Sequence, residues 1–169
     1  MSTFKTPFNL MNSYYNQYEK DTAPCKYGYK NQCAIRLSLA LVRCGFSLDA
    51  FPDQKRVHRG RGGCNLGDEP HIVGADELHK FLMQVWDAGL KGKGKDIKSQ
   101  ILGKQGIVYF NNCFKRNATD TSATGDHIDL WNGEKYYNQI LGIGAGGDAT
   151  AKSDLFTKAQ YVRFFGLPY

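Results

Sequence analysis

The chain has 169 residues, 41% of them hydrophobic and 13% aromatic, a composition that excludes a disordered polypeptide and fits one domain with a single core. Its formal charge of +6 favours acidic partners, without choosing among nucleic acid, anionic lipid and carboxylate-rich polymers. No stretch approaches the roughly 20 apolar residues of a membrane-spanning helix, and Met1 to Leu10 lacks the basic start and apolar run of a secretory signal. A protein made in the cytoplasm without a cleaved signal, and not inserted in a membrane, is therefore expected.

Phe8, Met11, Tyr15 and Tyr18 recur at helical spacing after Pro7, predicting a helix over 7–20 with an aromatic, core-packing face. Pro24 and Gly28 break the next segment into a loop. Asn31 can cap a second helix over 32–44, ended by Gly45. This helix has apolar atoms on nearly every side and belongs at the centre of the domain. Residues 46–74 show little periodicity and read as a long loop. A third, amphipathic helix follows over 76–88, then a basic turn over 92–94 and a short helix over 96–102.

The second half reads as sheet. A β-rich run covers 107–110, and a second strand begins at His127. Asn132-Gly133 signals a two-residue hairpin turn into a return strand over 134–141. A glycine-rich loop over 142–147 leads to a short helix near Asp154 and a last strand over 161–165. The loop does not open a helix within a βαβ unit, which argues against a nucleotide site. Helices followed by an antiparallel sheet, with no repeats and no linker, place residues 1–169 in one domain of the α+β class.

Five cysteines (Cys25, Cys33, Cys44, Cys64, Cys113) leave at least one unpaired, and no CxxC is present. Cys64 and His71, with His58 and His79, match no known metal-ligand spacing, so neither metal nor cofactor is expected. Cys33 stands apart because it falls in the first turn of the central helix, where the helix dipole favours a thiolate. A two-residue turn would set Trp131 opposite Glu134 and so place Asn138 opposite His127, within hydrogen-bonding reach. An amide there would fix the imidazole tautomer and leave its second nitrogen for a thiol, the logic of a Cys-His-Asn enzyme. Asp129, on the same strand face as His127, is the alternative orienting residue. Oxyanion donors are the Cys33 backbone N–H and one of Tyr27, Tyr29, Asn31 or Gln32, with Gln32 favoured by adjacency.

The blocks Asn31-Gln32-Cys33-Ala34-Ile35-Arg36-Leu37-Ser38 and Gly125-Asp126-His127-Ile128-Asp129-Leu130-Trp131-Asn132-Gly133 resemble the fourth family of type VI secretion amidase effectors. The segment Gly106-Ile107-Val108 is similar to theirs as well. The resemblance implies a papain-like fold of the NlpC type and an antibacterial enzyme that hydrolyses the D-glutamyl–meso-diaminopimelate amide of peptidoglycan stem peptides. It implies delivery by the type VI secretion apparatus into a neighbour's periplasm, and a cognate immunity protein that blocks the cleft. Motif for motif it assigns Cys33 as nucleophile and His127 as base. The chain departs from the family at position 138, where members often carry Asp.

Stem peptides expose carboxylates, and Lys55, Arg56, Arg59 and Arg61 in the long loop are candidates to meet them, Arg59 and Arg61 foremost. A Cys-His acyl transferase or deamidase acting on proteins would use the same residues. A basic nucleic-acid-binding module would instead be indifferent to loss of Cys33, and no nucleic-acid motif supports it.

Overall fold

The structure, a computed structural model, describes residues 6–16, 25, 32–54, 57–59, 69–86, 88–137 and 154–167. Its elements in chain order are α1 (Phe8–Asn16), α2 (Cys33–Arg43), β1 (Val57–Arg59), β2 (Pro70–Ile72), α3 (Ala75–Val85), β3 (Leu90–Gly92), α4 (Gly94–Ile101), β4 (Gly106–Phe114), β5 (Gly125–Trp131), α5 (Leu155–Lys158) and β6 (Tyr161–Gly166). This is an α+β arrangement with antiparallel sheets, as the sequence leads one to expect.

The expected central helix is α2. Ala34, Ile35, Leu37, Leu39, Ala40 and Leu41 are all at most 1% exposed, which buries the helix on every side. It stops at Gly45, whose φ of +88° a side chain would resist, and Gly45 N–H donates to the Val42 carbonyl at 2.8 Å. The residue at its N-cap is Gln32, not Asn31, which lies outside the described residues.

Among the described residues β3-β6-β4-β5 form one antiparallel sheet, with β5 last in the order. Side chains alternate between its faces. Ile107, Tyr109, Ile128 and Leu130 share one core with residues of α1, α2 and α3. Val108, Phe110 and Trp131 share another with Ile97, Ile101, Leu155 and Phe156 of α4 and α5. The sheet is thus covered on both sides. Between Phe110 and Phe114 the β4–β5 register shifts, and Asn112 sits there at φ 46°. The Asp126 carboxylate accepts from Asn112 N–H at 2.9 Å and from the Asn111 amide at 3.1 Å, fixing the bulge one residue before His127.

Three expectations need correction. The long region after α2 contains a two-stranded antiparallel sheet, in which Val57, His58 and Arg59 pair with Ile72, His71 and Pro70. The basic turn near residue 92 is the end of a strand, β3, which pairs with β6 through Leu90–Phe164, Lys91–Arg163 and Gly92–Val162. The hairpin after β5 is wider than two residues: Trp131 bridges to Tyr136, not Glu134. The cause is the Asn132 side chain, whose oxygen accepts from both Glu134 N–H at 2.9 Å and Lys135 N–H at 2.8 Å. This bridge thus differs from the Trp131–Glu134 pairing on which the expected place of Asn138 rests; Asn138 itself, like the rest of the expected return strand beyond Tyr137, lies outside the described residues.

Candidate active site

The start of α2 meets β5, which among the described residues is the last strand of its sheet. An edge strand leaves every second N–H without a ladder partner. Two of these are satisfied locally: Ile128 N–H donates to the Cys33 sulfur, and Leu130 N–H donates to Asp129 Oδ1 at 2.9 Å. Cys33 thereby lies against the strand segment that carries His127 and Asp129.

Cys33 is hydrogen-bonded to the His127 side chain. Burial works against a charged sulfur, but the His127 charge, its hydrogen bond and the Ile128 N–H together outweigh it and lower the Cys33 pKa from its ordinary value. Burial likewise opposes a charged imidazole, yet Cys33 and Asp129 push the His127 pKa up to about 10. Both shifts favour the thiolate–imidazolium form of the pair. Cys33 as a residue is half-buried, while His127 is 1% exposed and so shielded from water.

His127 Nε2 lies 3.2 Å from Asp129 Oδ2, and Asp129 is fully buried. With Nε2 so engaged, Nδ1 is the nitrogen for the thiol. The alternative orienting residue of the sequence is thus the one the described structure brings to His127. Asp129 is itself held by Tyr15, whose hydroxyl donates to Oδ1 at 2.6 Å. Burial first, then Asp129, raise the Tyr15 pKa well above its ordinary value, so the phenol stays a proton donor. The sequence marks Tyr15 only as part of an aromatic face. That a buried Tyr hydroxyl seeks a partner was the one available signal.

Gln32, the favoured oxyanion side chain, is turned elsewhere. Its Nε2 donates to the Cys25 carbonyl at 2.8 Å, and its Oε1 accepts from Cys25 N–H at 3.1 Å. The Cys33 N–H, in the first turn of α2, needs no acceptor within the helix. Arg59 is exposed on β1, with its guanidinium near Gln54 Oε1 at 3.2 Å and Asp49 at 3.9 Å. Arg61 lies outside the described residues, as do Lys55 and Arg56.

The other free thiols are unlike Cys33. Burial pushes Cys44 up to about 11 and Cys113 further still. At neutral pH a small alkylating reagent should therefore modify Cys33 first. Its rate should have a midpoint below the ordinary thiol value of 9.0, falling on the acid side as the thiolate takes up a proton. The imidazolium beside it persists until pH rises through about 10. In His127→Ala the midpoint should return to that of an ordinary or buried thiol. Mass spectrometry of the alkylated chain against pH reads both, and an unshifted midpoint in the unmodified chain would refute the ion pair.

His79 stacks on Tyr109 with ring centroids 3.8 Å apart, away from any ligand cluster. His58 and His71, by contrast, are brought together with Cys25, a grouping the sequence spacing did not show. Among the described residues no helix is long and apolar enough to cross a membrane.

Comparison with known proteins bears on this geometry. Solved structures of similar fold include the type VI effector Tae4 from Enterobacter cloacae, 20% identical, with a TM-score of 0.66 over 99% of this chain and 100% of that one. They also include Tae4 from Salmonella typhimurium bound to the immunity protein Tai4 from Enterobacter cloacae, 16% identical, TM-score 0.64, covering 97% of this chain and 100% of that one. The Salmonella typhimurium Tae4/Tai4 effector–immunity structure is 17% identical, TM-score 0.65, covering 97% and 99%. No curated protein matches the chain. The family described as type VI secretion system (T6SS), amidase effector protein 4 (Tae4) matches residues 29–165, a span that holds both Cys33 and His127, and the chain belongs to that family.

Proposed function

We propose that this effector is an antibacterial cysteine amidase of papain-like type that hydrolyses the D-glutamyl–meso-diaminopimelate amide of peptidoglycan stem peptides. The observation that carries it is the hydrogen-bonded Cys33–His127 pair at a helix start, with the Cys33 pKa lowered and that of His127 raised. The Cys33 thiolate attacks the scissile carbonyl, and its carbon–oxygen π electrons pass to the oxygen. The Cys33 N–H donates to that oxyanion. His127 gives its proton to the leaving amine, and a thioester to Cys33 remains. A water then attacks the thioester, His127 taking its proton, and the thiolate is released with the new carboxyl terminus. Asp129 holds the imidazole in the tautomer this requires.

Arg59 and Arg61 are our candidates for binding stem carboxylates. Residues 1–169 serve as one catalytic domain, delivered by the type VI apparatus and acting in the target's periplasm. The relatives solved with Tai4 support a cognate immunity protein as the partner in the producing cell.

Digestion of purified diaminopimelate-type peptidoglycan, followed by mass spectrometry of the fragments, tests this. New glutamate carboxyl termini with free diaminopimelate amines are expected. An intact wall after incubation with folded protein would overturn the wall-amidase reading and leave only the Cys-His pair.

A further inference from the structure

A second cluster of reactive side chains lies outside the proposed catalytic machinery. One ligand atom each from Cys25, His58 and His71 fall within 4.8 Å of one another. The two histidines are directly opposed in the β1–β2 ladder, with ring centroids 4.9 Å apart. Cys25 and His71 are fully buried, and His58 is half-buried.

Two of the three ligands, His71 and Cys25, are oriented by separate contacts. His71 Nδ1 is 2.9 Å from the Glu69 carbonyl, which makes that nitrogen the donor and assigns Nε2 to a metal. A ring nitrogen held by a carbonyl is the usual support of a metal-bound histidine. Glu69 is in turn fixed by Arg43 of α2, through bonds of 2.9 and 2.7 Å. Cys25 is clamped on both its N–H and its carbonyl by the Gln32 amide, and it packs with Ile35 and Leu39 of α2. The cluster is thus a built site braced against α2, with one soft sulfur and two imidazoles, the donor set that suits zinc.

Cys25 is disulfide-bonded in this structure, to a partner outside the described residues. A cystine sulfur is a poor zinc ligand and a thiolate a strong one. We propose that in the reduced chain Cys25, His58 and His71 bind one zinc ion, and that oxidation of Cys25 to the disulfide expels it. Ligand distances of about 2.0–2.3 Å set tetrahedral neighbours about 3.3–3.8 Å apart, so the side chains need close only by about an ångström. Three protein ligands leave the fourth position to water or a further group.

The two states interconvert by ordinary exchange chemistry. A small-molecule or protein dithiol gives two electrons and two protons to the disulfide and becomes a disulfide itself. Zinc then displaces the proton of the Cys25 thiol. In an oxidising compartment a disulfide carrier accepts the two electrons, the cystine re-forms and zinc leaves. A protein that meets a reducing compartment first and an oxidising one later would exchange one crosslink for another at the same place. The inference does not depend on the amidase activity.

The test uses the full chain with Cys33→Ala, so that the Cys33–His127 pair cannot itself hold the metal. Phosphine-reduced protein, kept free of oxygen, is titrated with zinc against a chromophoric chelator, and with cobalt(II) in parallel. One equivalent should bind per chain, with a sulfur-to-cobalt charge-transfer band that disappears in Cys25→Ser. His58→Ala and His71→Ala should each weaken binding by about tenfold or more. The oxidised chain should bind no stoichiometric zinc. Because His71 is buried, circular dichroism is read for each variant, and half-buried His58→Ala carries the result if His71→Ala unfolds. Failure of the folded reduced chain to take up one zinc, undiminished affinity in His58→Ala, or equal binding by the oxidised chain would each overturn the proposal.

Discussion

Cys33→Ala should abolish amide hydrolysis, by about 10,000-fold or more in kcat, and leave the fold intact. The substitution removes one sulfur from a half-buried residue in the first turn of a helix and introduces a residue of better helix propensity, so little stability is at stake. Catalysis has no substitute thiol among the described residues: Cys44 is held near 11 by burial, and burial drives Cys113 further up. Cys33→Ser should be nearly as damaging, because an alkoxide lies far beyond what His127 can stabilise at neutral pH. The measurement is turnover of a stem-peptide substrate beside a thermal melt of the same preparation. Activity above about one hundredth of the starting level, in a variant with an unchanged melt, would remove Cys33 from the nucleophile's role.

What made Cys33 legible was local. A run of apolar residues on all sides, a Gly at position 45 with positive φ and a Cys in the opening turn define the helix and its dipole without reference to anything distant. β4 and β6 were legible for the same reason, as β-rich runs with clear boundaries. β3 was not. Leu90-Lys91-Gly92 has no strand propensity to speak of, and it becomes a strand only because β6 offers a ladder and Gly89 lets the chain pass the Phe164 carbonyl, where a Cβ would lie 2.4 Å from the oxygen.

The hairpin shows where a sound rule yields to a side chain. Asn132-Gly133 favours a two-residue turn when the Asn side chain is idle; here that side chain takes two N–H groups and widens the loop. The pairing that would place residue 138 opposite His127 thus starts differently, and among the described residues it is Asp129, next-but-one in sequence, that meets His127. The start of α2 lies beside β5, where Ile128 N–H donates to the Cys33 sulfur, and so Cys33 meets the strand segment that carries both. Tyr15, Cys25, His58 and His71 were beyond sequence reasoning because their partners are chosen by the tertiary fold, across separations of 13 to 114 residues.

Asp129→Asn should cost about 100- to 10,000-fold in kcat/KM, the range set by loss of tautomer control in related triads. The direction follows from the hydrogen bonds. Asp129 Oδ1 already accepts from the Tyr15 hydroxyl and from Leu130 N–H, so an asparagine would keep its oxygen there and turn its NH2 group to His127. Nε2 would then have to accept, and Nδ1 would carry the proton that now should come from Cys33. The imidazole could neither take a proton from the thiol nor be stabilised as imidazolium. Its pKa should fall from about 10, moving the alkaline limb of the activity profile down in pH. Tyr15→Phe removes one hydrogen bond to the same carboxylate and acts only through it, so a loss of about tenfold is expected, without the tautomer defect. Asn138→Ala completes the comparison. If it costs more than Asp129→Asn, and the alkaline limb moves in that variant alone, Asn138 orients His127 and Asp129 serves only to tie Tyr15 to the sheet edge.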